Sequence, residues 1–133
     1  MKLINQNVEE WHCGYTLPEI WSHIAKCARV CYQSEPRNNG ETDEEFVKRV
    51  ILRGYSFEEI AKSRKLQLKL HLSVLEHGTL YFVLDSNNAE DNVFIKFFNQ
   101  NKYSKVNIVN NIEYITTNMR VIVENGLTMY LKY

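Results

Sequence analysis

His71, Ser73, Glu76 and His77 fall within one seven-residue stretch, HLSVLEH, and form the densest group of chemically capable side chains in the sequence. An imidazole titrates near neutral pH and serves as acid, base or hydrogen-bond partner. A serine hydroxyl donates, and a carboxylate accepts from a ring N–H or a ribose hydroxyl. On a regular helix His71, Ser73 and Glu76 do not share one face. On a turn running into a helix they converge, and the N–H groups of such a helix start suit an anionic group. A purely structural reading stands beside this one. Ser73-Val74-Leu75-Glu76 is an S-x-x-E capping pattern, which accounts for Ser73 and Glu76 without any ligand.

His71, Glu76 and His77 also raise a small metal-dependent enzyme, with Cys13 and His12 as further donors. The spacing matches neither H-E-x-x-H nor paired C-x-x-C knuckles, so no metal is expected. Cys27 and Cys31 lie four apart on an apolar helical stripe, where a free thiol packs as a small hydrophobe. Cys13 and His12 are neighbours, and neighbours on a strand point to opposite faces, which argues against a Cys–His nucleophile. No G-x-S-x-G, P-loop or G-x-G-x-x-G occurs, and no catalytic residue is assigned. Lys62, Arg64, Lys65 and Lys69 read as a solvated helical face. Tyr81, Phe82, Phe94, Phe97 and Phe98 read as core, because base-stacking aromatics usually accompany a basic surface.

The elements that must position these residues follow from caps and periodicity. The chain has 133 residues, 44% of them apolar and 24% charged, which suits a single globular domain. Sixteen basic and sixteen acidic side chains cancel. Ten of each precede residue 67 and six of each follow it, so no basic arm favours nucleic acid or an anionic membrane. Three cysteines and an opening segment without an apolar run point to the reducing cytoplasm, and no stretch is long enough to span a membrane.

Residues 2–13 read as an extended entry. Thr16-Leu17-Pro18-Glu19, Thr42-Asp43-Glu44-Glu45 and Ser56-Phe57-Glu58-Glu59 are capping boxes, each opening a helix. Residues 34–41 form a loop, and Gly54 suits a C′ position. TLYFVLD (79–85) reads as a buried strand, and VFIKFF (93–98) as a second strand pairing with 106–115. Thr117-Asn118 caps a short helix ending at Gly126. LTMYLKY then begins another apolar pattern, with Leu127, Met129, Tyr130 and Leu131 as its buried face. It reads equally as a docked terminal helix or as the cut end of a longer protein. The fold class is α+β, with helices packed on an antiparallel, hairpin-rich sheet.

Two segments together, AKCARVCYQSE (25–35) and HLSVLEHGTLYFVL (71–84), resemble the N-terminal part of the flavin-dependent thymidylate synthases, the ThyX family. That family shows an A-A-R-V-[CS]-[YF] helix end, an intervening helix, then H-x-[ST]-x-x-E-H leading into a strand. ITTNMRVIVENG resembles a stretch of its longer bacterial and phage members. The resemblance implies methylene transfer from methylenetetrahydrofolate to dUMP, with FAD carrying the hydride, NADPH as reductant, and active sites formed between subunits of a homotetramer. Ser73 becomes a flavin-contacting position, with His71 and Glu76 beside it and His77 more structural. Arg29 matches a family arginine without a ligand.

The departures bear on activity. The family's R-H-R motif, with its downstream Ser and Arg, binds dUMP and FAD, and no R-H-R occurs here. The six arginines are Arg29, Arg37, Arg49, Arg53, Arg64 and Arg120, and none pairs with His in that manner. Sixteen residues, Tyr55–Leu70, separate Gly54 from His71, where many members have almost none. The expectation is therefore the first half of such an enzyme: inactive alone, oligomeric, and requiring the missing part to take up dUMP and folate. The alternative is a non-catalytic binding or assembly module that kept the fold.

Overall fold

The computed structural model describes residues 11–32 and 40–131. Residues 2–10 of the expected entry strand and 34–39 of the expected loop lie outside these, as does the end of the 25–35 motif. Helix α1 spans Leu17–Tyr32 and α2 spans Asp43–Val50. Two short helices follow, α3 at Phe57–Lys62 and α4 at Arg64–Lys69, then a 3-10 segment at Leu72–His77. Strand β1 (Thr79–Asp85), helix α5 (Ala89–Gln100), strands β2 (Lys105–Val109) and β3 (Ile112–Asn118), and helix α6 (Met119–Glu124) complete the order. The class is α+β, with an antiparallel sheet in the order β1-β3-β2.

Two of the three expected capping boxes close reciprocally, and the third forms its N-cap bond. Thr16 and Glu19 exchange backbone and side-chain bonds at 3.3 and 3.4 Å. Thr42 accepts from the Glu45 N–H at 3.1 Å, and Ser56 and Glu59 close a reciprocal box. Ser63 adds a fourth cap, accepting from Leu66 N–H at 3.1 Å and dividing α3 from α4. Gly54 and Gly126 take the left-handed conformation that ends a helix, at φ 83° and 69°. The α1 stripe buries Ile20, Trp21, Ile24 and Ala28 against α2 and the 3-10 segment. Phe46, Ile51, Leu52, Ile60, Leu75 and Ile122 are among the other buried core residues.

Several expectations are corrected. VFIKFF is not a strand but the middle of α5. Asn88 accepts from the N–H groups of Glu90 and Asp91, and Phe94, Phe97 and Phe98 recur at helical spacing on the face turned to the sheet. Residues 106–115 therefore do not pair with it. They fold on themselves as the β2–β3 hairpin, Val106 opposite Ile115. Asn110 and Asn111 form its turn at φ 50° and 67°, the mirror-image geometry that suits the twist of a two-residue hairpin. Strand β1 is half-buried rather than buried: Leu80 faces inward, while Tyr81 and Val83 are exposed beside Tyr114 of β3. Cys27 is buried as expected, but Cys31 is exposed. The terminal pattern makes only a 3-10 turn, Thr128–Tyr130, with Met129 in solvent.

Candidate functional site

The 3-10 segment is the positioning element. Leu72, Val74 and Leu75 are buried, whereas His71, Ser73, Glu76 and His77 are exposed. Leu72 and Leu75 share the inward face at the three-residue spacing, Val74 is buried beside them, and the tighter winding replaces the helix that the S-x-x-E pattern suggested. Ser73 lies inside the segment and caps nothing, since His71 is its N-cap residue and no side chain caps it. The capping explanation of Ser73 and Glu76 is therefore removed.

His71 and Ser73 line one open groove of about 460 Å³, together with Cys31, Tyr32, Leu68 and Arg120. The Tyr32 hydroxyl and His71 Nδ1 lie 2.8 Å apart, which joins the end of α1 to the groove floor. Burial, then Cys31, raises the Tyr32 phenol, and Arg53 opposes them. Glu76 lies on the far side of Arg120, in a second groove with Arg64, Lys102 and Glu124. Arg120 Nη1 donates to Glu76 at 2.9 Å and its Nε donates to Glu124 at 2.9 Å. The bond to Glu124 is the largest of the influences that hold Arg120 in its charged form. The fold thus brings His71 and Ser73 together and connects Glu76 to them only through Arg120.

The groove offers two uncharged polar side chains, the Ser73 hydroxyl and the His71 imidazole, the latter already in contact with Tyr32. Arg120, at the edge of the groove, already carries two carboxylates. Lys62, Arg64, Lys65 and Lys69 are exposed on α3 and α4, as a solvated face. Arg29 pairs with Asp43 at 2.8 Å and holds α1 to α2.

His77 leaves the group altogether. Its ring meets that of His23 edge-on, with centroids 6.4 Å apart, and His23 Nε2 lies 3.9 Å from Cys27 Sγ. Neither His23 nor Cys27 figured as a candidate in the sequence. The legible signal was H-x-x-x-C, two ligand types one helical turn apart, masked because Cys27 also fits the apolar stripe. Cys13, raised with His12 as a further metal donor, contacts the Thr79 carbonyl at 3.9 Å.

An apolar cavity of about 230 Å³ between β1, α5 and the C-terminal turn offers little chemistry. Its one acid, Asp91, accepts from the Asp85 N–H at 2.9 Å. Among the described residues, no helix is long and apolar enough to cross a membrane. No family model, curated protein or solved structure matches the chain.

Proposed function

We propose that the chain is a flavin-contacting module similar to the N-terminal part of the flavin-dependent thymidylate synthases. His71 and Ser73 meet the polar edge of FAD, and Glu76 holds Arg120 beside them. One observation carries this reading: the 3-10 segment buries its leucines and valine and turns His71 and Ser73 into an open groove. Bound FAD would supply hydride chemistry, with NADPH as the reductant. The chain's own residues bind and orient the ring. Methylene transfer to dUMP is not assigned to these 133 residues, which contain no R-H-R.

The resemblance also implies a second copy as partner. The outer sheet face offers a surface for it, with Tyr81, Val83, Val109 and Tyr114 exposed. Sedimentation equilibrium tests this: a dimer or tetramer supports it, and a monomer at high concentration removes it. The second reading, a binding module without redox chemistry, is favoured by the engagement of Arg120 with two carboxylates. FAD titration of Ser73→Ala and His71→Ala separates the two. Weakened FAD binding in both supports the flavin reading, and affinity unchanged in both removes it.

A further inference from the structure

The side of α1 next to the 3-10 segment carries a cluster that the flavin reading does not use. His23 and Cys27 stand one turn apart on α1 and so share a face. His77 joins them from the last turn of the 3-10 segment. One donor atom from each of the three lies within 4.8 Å of the other two, and Cys27 is buried. We propose that His23, Cys27 and His77 bind one divalent ion of the zinc class, with the fourth position open to the surface.

Tetrahedral zinc with bonds of about 2.0–2.3 Å sets its ligand atoms roughly 3.3–3.8 Å apart. The Cys27–His23 separation of 3.9 Å is already close to that spacing. The remaining gaps close by about an ångström of side-chain rotation, which the exposed ring of His77 permits. One thiolate and two imidazoles select zinc, cobalt or copper over magnesium or calcium. Close packing of Gly78 on the isoleucines of α1 brings the end of the 3-10 segment onto that helix. A Cβ on Gly78 would lie 2.5 Å from Ile24 Cδ1 and 3.0 Å from Ile20 Cγ2. That approach seats His77 against α1.

The protonation shifts of the two α1 side chains oppose one another, that of His23 favouring its ligating form and that of Cys27 working against it. Burial, then His77 and Lys26, lower the His23 imidazole and favour its neutral, ligating form. Burial, then Cys31 and Cys13, raise the Cys27 thiol, with Lys26 opposing. Metal binding therefore releases a thiol proton. Cys13 and His23 line one surface groove, with Lys26 and Glu19 also on its wall.

The test is titration of the full, chelator-treated chain with Co²⁺, followed by displacement with Zn²⁺. The expected result is one equivalent bound, a thiolate-to-cobalt charge-transfer band, and the intense visible bands of a four-coordinate ion. His77→Ala, a change at an exposed side chain, should weaken binding by at least roughly tenfold, the lower end of the cost of losing even an outer-shell partner. Cys27→Ser should abolish the charge-transfer band, whereas Cys31→Ser should keep the band and the one-equivalent stoichiometry. If Cys27→Ser fails to fold, His77→Ala decides alone. No stoichiometric Co²⁺ binding, or binding unaffected by His77→Ala, overturns the site. The outcome is independent of whether the neighbouring groove takes FAD.

Discussion

Arg120 on α6 donates to Glu76 on the 3-10 segment across 2.9 Å, and this contact separates the His71–Ser73 groove from its neighbour. Both side chains are substantially exposed, at 36% and 48%. Such pairs contribute about 0–1 kcal/mol. Glu76→Gln should therefore shift urea stability by less than about 1 kcal/mol while leaving Arg120 held by Glu124. A loss of several kcal/mol would show that the contact is structural rather than a wall of the groove.

Gly78 is required by proximity, since its φ is an ordinary −87°. The side chain an added methyl would meet, Ile24, is fully buried in the core. Gly78→Ala should destabilise the fold by about 1–3 kcal/mol through overpacking. Chemical denaturation gives the value, and an unchanged midpoint would contradict the packing described.

Gln67 is a buried polar side chain with a complete role. Its amide donates to the Ile60 carbonyl at 2.9 Å and the Glu124 carbonyl at 3.1 Å, joining α3, α4 and α6. Gln67→Ala leaves both acceptors without that donor and should cost about 1–3 kcal/mol. A neutral result in urea denaturation would mean that water replaces the amide freely.

The folded state depresses the His23 imidazole below its ordinary 6.5, with burial the largest cause. The unfolded chain then binds more protons just below that value, so stability rises with pH there. His23 contributes in full above about pH 6.5, and its contribution is lost as pH falls through the lowered value. In metal-free buffer, His23→Gln should flatten this part of the stability–pH curve. An equally steep curve in the variant would place the titration elsewhere.

What was legible in the sequence followed local chemistry. Thr16, Thr42 and Ser56 cap as their patterns require, because an N-cap bond spans only three residues. Asn118 caps α6 in the same way. The failures are non-local. Phe94, Phe97 and Phe98 suit a strand as readily as a helix, and Asn88 together with the sheet packed alongside selects the helix. Ser73 looks like a cap until tertiary packing draws Leu72, Val74 and Leu75 into a 3-10 turn. His77 was assigned to its sequence neighbours, yet the close approach at Gly78 gives it to α1.

The most direct measurement on the central claim is equilibrium titration of the folded, full chain with FAD, followed by flavin fluorescence and checked by equilibrium dialysis. The account predicts saturable binding at one FAD per chain, weakened when Ser73 becomes alanine. Absence of FAD binding by a chain whose circular dichroism shows it folded would contradict it and leave the binding-module reading.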